Sequence, residues 1–367
     1  MSKSQSSNSK FQLISDSATL SNWCQSLRSQ GHEKPYLLAV DTEFTRRDTY
    51  FPQLNLIQVS ANSLPIALID VQSSLSLAPL CEIFADAQVI LHSGSQDYTL
   101  LDGIGLRPLR YLDTQLAYAF QNEASQVSYQ NLAQSLLGVS LDKSSTQSDW
   151  SARPLSDDQL TYASEDVEYL IEIHSSLASS LSDEKQRWYQ EECTAQYQPS
   201  PGTDPESAWQ KIGALHLSHD RELAAGQALA AWRERIAISL DVPKKWIFDD
   251  DALLLMAKHR SLARGIQKQR YYKRYLGQNN LLAELKAALE SLPEAPTHTR
   301  IKPRKPSASD KSAINTLKLH IASRCEAKHV SVSLVANRDD YQKALLNPEQ
   351  SRLTQGWRAE LLGDLPI

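Results

Sequence analysis

Asp41 and Glu43 stand at the end of the apolar run Tyr36–Val40, separated by one residue. Alternate side chains of a strand point to one face, so the pair offers hard oxygen ligands side by side, a set suited to Mg²⁺ or Mn²⁺. Taken alone, such a pair is equally well the solvated end of a strand. Asp97 adds a third carboxylate just after the run Val89–His92, in the stretch Leu91-His92-Ser93-Gly94-Ser95-Gln96-Asp97. Tyr162 and Asp166 are four residues apart and share one helix face. Asp166 lies on or beside an apolar stripe of Leu160, Ala163, Val167, Leu170 and Ile171. A carboxylate placed there needs a partner; a metal ion serves, and a surface Asp paired with Arg or water is the plainer alternative.

These residues require strands and helices in alternation. Tyr36–Val40, Asn55–Val59, Ile66–Ile69 and Val89–His92 read as strands separated by Pro, Asn and Ser turn signals. Helices are expected over residues 96–101, 113–120, 129–137 and 156–179. The last has a capping box: Ser156 caps the amide three residues on and Gln159 reaches back, with Asp157 and Asp158 in the first turn, where the helix dipole favours negative charge. The expected fold is an α/β domain with a mixed sheet. Beyond it, residues 209 to about 292 read almost entirely as helix, and a shorter helical unit closes the chain.

Together the acidic residues and Tyr162 resemble the DEDD exonuclease superfamily in its tyrosine-containing branch. The motifs are Asp41-Thr42-Glu43-Phe44, Asp97, and Tyr162-x-x-x-Asp166. The chain further resembles the ribonuclease D family through the segments Asp41–Val59, His92–Asp97, Asp113-Thr114-Gln115 and Leu141–Leu155. The likeness runs over essentially the whole chain, with no departure at the five catalytic positions. Residues 223–264, with Leu229, Trp232, Arg233, Arg235, Asp241-Val242-Pro243 and 249–257, resemble the helicase-and-ribonuclease-D C-terminal domain. Val330–Leu346 with Trp357-Arg358 looks like a divergent second copy.

The resemblance implies a ribonuclease-H-like exonuclease domain followed by two small all-α bundles. The expected boundaries are a disordered tail at 1–10, the exonuclease domain at 11–197, a linker at 198–208, a first helical domain at 209–292, a basic Pro-rich linker at 293–309 and a second helical domain at 310–367. It implies a 3′-to-5′ exoribonuclease acting on RNA with a free 3′ end, such as tRNA precursors, and releasing nucleoside 5′-monophosphates. Asp41, Glu43, Asp97 and Asp166 would hold two divalent ions, Mg²⁺ or Mn²⁺, stabilising both ends of an in-line displacement. Tyr162, as a phenol with an ordinary pKa of about 10, is expected mainly to orient the attacking water, with a role as base the alternative if the metals depress its pKa. A DNA exonuclease, and a non-catalytic RNA-binding protein on the same scaffold, are the competing readings.

Substrate contacts are expected more widely. Phe44 offers a ring to stack on the terminal base, with an ordinary core aromatic as the alternative. His92 is either a substrate contact or a satisfied histidine at a strand end. Lys143, Trp150 and Arg153 lie in a loop before the catalytic helix and offer grips for phosphate or base. Lys268, Arg270, Lys273 and Arg274 alternate with tyrosines in a strip suited to RNA, or to a solvated helix face. Truncation near Pro205 is expected to weaken RNA binding and spare the chemistry.

Charge supports a division of labour. Residues 1–205 carry 12 basic and 25 acidic side chains, a net of −13, and residues 206–367 carry 26 and 18, a net of +8. An acidic first part suits a metal site and a basic second part a polyanion. No apolar stretch is long enough to span a bilayer, the polar N-terminus does not read as a secretory signal, and the four cysteines are scattered without a CxxC pair. A cytoplasmic, monomeric protein is the expectation.

Overall fold

The computed structural model describes residues 10–30, 34–61, 64–141, 148–198, 202–213, 217–266, 280–298 and 307–367; Lys143, Lys268, Arg270, Lys273 and Arg274 lie outside them. The chain divides into two compact units. One comprises residues 1–45, 54–199 and 306–367, the other residues 46–53 and 200–305.

The first unit is built on six strands: β1 (Phe11–Ile14), β2 (Tyr36–Thr45), β3 (Gln53–Ser60), β4 (Ile66–Asp70), β5 (Ala87–Leu91) and β6 (Arg110–Asp113). Their order is β1-β4-β3-β2-β5-β6. β1 runs parallel to β4, β2 to β5 and β5 to β6, while β3 is antiparallel to β4, so the sheet is mixed, as expected. Its helices are α1 (Ser17–Ser29), α2 (Ala78–Ala85), α3 (Ser95–Gly103), α4 (Thr114–Ala119), α5 (Tyr129–Leu132), α6 (Asp157–Glu168), α7 (Leu170–Ser179) and α8 (Asp183–Gln196).

The alternation of β2 decides which layer each site residue meets. Leu38 and Val40 belong to the core that includes Leu101 of α3 and residues of α1 and α2. Ala39 belongs to the opposite core, with Ala163 and Val167 of α6. With a period of two, Asp41 and Glu43 follow Ala39 onto the α6 side, and Thr42 follows Val40 onto the α3 side.

The capping box of α6 is present: the Ser156 hydroxyl accepts from Gln159 N at 3.2 Å and the Gln159 carboxamide oxygen accepts from Ser156 N at 3.0 Å. The expected single helix over 156–179 is two, broken at Tyr169. The Tyr129 hydroxyl sits in the break, donating to Glu165 O at 2.9 Å and accepting from Tyr169 N at 3.1 Å. Backbone groups freed by the break are thereby satisfied, and the turn carrying Asp166 is held.

The closing helices are Ala308–Lys328, Val332–Val335, Arg338–Leu346 and Gly356–Leu362. They belong to the first unit. Trp357 is 1% exposed; its ring lies edge-on to Phe120 at 4.9 Å and 5.9 Å from Trp188. Its Nε1 donates to Glu192 at 2.7 Å, and Arg358 grips both oxygens of the same carboxylate at 2.7 and 2.8 Å. These residues seal the core over α4 and α8, so removing everything beyond Pro205 uncovers apolar surface of the exonuclease unit itself.

The second unit is helical. A 3₁₀ turn at Pro205–Lys211 precedes helices Asp220–Ser239, Lys244–Ile247, Asp250–His259, Leu262–Ile266 and Leu281–Glu290. Trp209, Leu223, Leu229, Phe248, Leu253, Met256 and Leu285 fill its core. The segment joining β2 to β3 belongs here too: Tyr50 packs on this core, Tyr50 N and Phe51 N each donate to Asp241 Oδ1 at 3.0 Å, and the Tyr50 hydroxyl donates to Glu234.

Candidate active site

Asp41, Glu43 and Asp166 converge: one carboxylate oxygen from each lies within 4.8 Å of the others. β2 delivers the first two and α6 the third, as the strand and helix periods require. Asp97 stands apart from this closest set. It is the third residue of α3 and accepts a hydrogen bond from the Thr42 hydroxyl, the residue that alternation turns towards α3. Its charge nevertheless acts on Asp41 and Glu43.

Electrostatics set this group apart. Burial, reinforced by Asp97, Asp166 and Glu43, holds the Asp41 carboxyl well above the usual range. Burial and the charges of Asp166 and Asp97 push Glu43 up to about 8. Asp166 rises to about 7, mainly through burial, although Tyr162 favours its charged form. Burial also raises Asp97, with Thr42 opposing. No Lys or Arg of the described residues is among the leading causes of these shifts. Sheltered carboxylates that repel one another need a cation, and an all-oxygen set suits a hard divalent one.

Tyr162 is half-buried beside this group, and burial raises its phenol further above the ordinary value, with Asp166 and Glu43 adding to the effect. Trp150 lies next to it, with ring centroids 6.1 Å apart. At 3% exposure the Trp150 ring packs beneath Tyr162 instead of offering a face to a base. Phe44 is half-buried at the end of β2.

Two other expected substrate contacts face inward. Arg153 directs Nε and Nη2 to the two oxygens of Asp70 at 2.8 and 2.7 Å. Its Nη1 donates to Trp150 O and Ala152 O, and Nη2 also to Asn55 O. A guanidinium has five N–H donors, and these five contacts use them. Arg153 therefore fastens the Trp150 loop to β3 and β4 and has no donor left for phosphate. His92 is similarly satisfied, with Nδ1 2.8 Å from Thr114 Oγ1 and Nε2 3.0 Å from Val127 O. Thr42 escaped the sequence reading because only the close approach of α3 gives it a role; its place between Asp41 and Glu43 was the available signal.

Comparison with known proteins agrees with this geometry. A 3'-5' exonuclease family model matches residues 11–182, and an HRDC domain model matches residues 222–262. Ribonuclease D of Acidiphilium cryptum is 35% identical over 366 residues, covering 96% of this chain and 91% of that protein. The chain belongs to the ribonuclease D family. Ribonuclease D of Jannaschia sp. is 34% identical, with 90% of this chain and 88% of that one covered. The crystal structure of Escherichia coli RNase D, an exoribonuclease involved in structured RNA processing, superposes with a TM-score of 0.80 at 28% identity, over 96% of both chains. As a ribonuclease D family member the chain is a 3′-to-5′ exoribonuclease, a hydrolase acting on RNA, and its acidic cluster suits divalent metal. No helix among the described residues is long and apolar enough to cross a membrane.

Proposed function

We propose that this chain shortens structured RNA, including 3′-extended tRNA precursors, one nucleoside 5′-monophosphate at a time, using two divalent ions, Mg²⁺ or Mn²⁺. The observation that carries the reading is the convergence of Asp41, Glu43 and Asp166 within 4.8 Å, without a counter-cation among the described residues and with Asp97 in electrostatic reach. These four carboxylates would hold the ions. When bound, divalent ions supply positive charge to the phosphate under attack and to the departing 3′-oxygen.

The chain's own residues do the rest. Burial raises the Tyr162 phenol above its ordinary value in the metal-free site, and its hydroxyl orients the attacking water by hydrogen bonding. Phe44, following Glu43 on β2, supports the terminal base by stacking. Basic charge for holding longer RNA is concentrated in two segments. Residues 268–274 carry four Lys or Arg and residues 300–305 four more, with no acidic residue in either, which accounts for the whole +8 of residues 206–367. Lys268, Arg270, Lys273 and Arg274 are accordingly proposed RNA contacts, and Lys143 a further one. Binding that rests on such charge weakens as salt rises. The protein is proposed to work as a cytoplasmic monomer, in keeping with its four free cysteines.

The test is digestion of end-labelled 3′-extended tRNA beside DNA of the same sequence, after chelation and re-addition of Mg²⁺ or Mn²⁺. A metal-dependent ladder receding from the RNA 3′ end, with 5′-monophosphate products, is expected, and Asp41→Asn should abolish it. Internal cuts, faster loss of the DNA, or full activity in chelator overturns the proposal.

A further inference from the structure

The residues Asp113-Thr114-Gln115, where β6 passes into α4, bond to the turn His92-Ser93-Gly94, where β5 passes into α3. The buried Asp113 carboxylate accepts from Ser93 N at 3.1 Å and from Gly94 N at 3.3 Å. The Thr114 hydroxyl is 2.8 Å from His92 Nδ1. The Gln115 side chain donates to Ser93 Oγ at 3.0 Å. Three consecutive residues thus hold three consecutive residues, although nineteen or more positions separate the partners in the chain.

The turn needs such a hold. Ser93 adopts a left-handed conformation with φ of 56°, uncommon for a residue other than glycine. Gly94 has no room for a Cβ, which would lie 2.4 Å from Leu91 Cβ. Successive amides of a tight turn form a concave patch that favours an anion, and Asp113 supplies one from within the protein. The same carboxylate accepts from Gln115 N at 2.7 Å, which caps α4, and from the Tyr197 hydroxyl at the end of α8. Tyr189 of the same helix receives Asp113 N at 2.9 Å. Asp113 is therefore fixed from both sides by α8, while its oxygens fix the turn.

Asp97 follows this turn by three residues. It is the one acidic site residue outside the closest cluster, and its direct ties to β2 both come from Thr42, through the hydroxyl and the backbone of that residue. Where Asp97 sits thus depends on where α3 begins. We propose that Asp113, locked by Tyr197, is a positioning residue that holds the start of α3 so that Asp97 completes the divalent-metal site; this rests on the metal reading of the site.

The test uses the full chain and Mn²⁺ alone, with free Mn²⁺ followed by electron paramagnetic resonance. Asp113→Asn keeps an oxygen able to cap α4, Asn being as good a cap as Asp, but turns an N–H₂ towards donors on its other side. Tyr197→Phe removes one hydroxyl and keeps the ring that packs between Tyr98 and Tyr111. Substitutions behind metal ligands typically weaken metal affinity about 10- to 100-fold. That loss is expected for Asp113→Asn and a smaller one for Tyr197→Phe, together with lower kcat and unchanged KM for a short RNA. A purely structural role would lower the melting temperature and leave Mn²⁺ affinity and kcat of the folded protein as they were. If both variants fold and bind Mn²⁺ as tightly as the unaltered chain, the proposal fails while the metal reading stands. If the unaltered chain itself binds no Mn²⁺, the metal reading fails and the proposal with it.

Discussion

Replacing Arg153 with Met separates two roles that the sequence alone leaves open. In the structure all five guanidinium donors are engaged within the protein, two of them on Asp70. The pair is largely buried, with side-chain exposures of 25% for Arg153 and 10% for Asp70. Removing one partner of a buried pair strands the other charge and costs roughly 3–5 kcal/mol; because Arg153 is partly exposed, the lower end, about 3 kcal/mol, applies. For a unit of this size that corresponds to a fall of roughly 6–12 °C in melting temperature. The pH dependence has a definite sign. Arg153 holds the Asp70 carboxyl below its usual range, so the stabilisation is complete above the ordinary carboxylate pKa and is lost as pH falls through the lowered one. The gap between the two proteins should therefore narrow in acid. Calorimetry from pH 3 to pH 7 measures the gap, and RNA binding at several salt concentrations measures any phosphate contact. Kd for RNA at 20 °C, where both proteins are folded, should be nearly unchanged. An unchanged melting temperature together with a salt slope reduced by about 0.7, the loss of one phosphate contact on a single strand, would refute the reasoning.

Further outcomes follow from the site and from the core beneath it. Glu43 and Asp166 titrate near 8 and 7 in the metal-free protein. The stability that goes with their protonated forms is full below about pH 4 and lost as pH rises towards 8. Mg²⁺ or Mn²⁺ should raise the melting temperature more at pH 8.5 than at pH 6, and equal increments would count against the site. Phe44→Ala should weaken binding of a short RNA by about 1–3 kcal/mol with little change in melting temperature, and an unstable variant with unaltered KM would make Phe44 a core residue instead. Trp357→Ala should destabilise the exonuclease unit by about 3–5 kcal/mol, seen as a lower denaturant midpoint. A midpoint that does not move would mean that the closing helices are dispensable to that unit.

What the sequence determined was local and periodic. The spacing of Asp41 and Glu43 puts them on one face of any strand, and that of Tyr162 and Asp166 puts them on one face of any helix. The capping box at Ser156 and Gln159 starts that helix where its residues require. Such rules say which way a side chain points; they do not say what it meets. Tertiary structure decided that Arg153 would spend its donors on Asp70 and three carbonyls, that His92 would be satisfied at both nitrogens, and that Trp150 would lie under Tyr162. It placed the closing helices, through Trp357 and Arg358, on the core of the exonuclease unit. It also set Asp97 apart from the other three carboxylates, tied to Thr42 and carried on a turn held by Asp113. Hydrogen-bonding capacity is consumed by neighbours distant in the chain, and only the packed sheet and its helices bring those neighbours together.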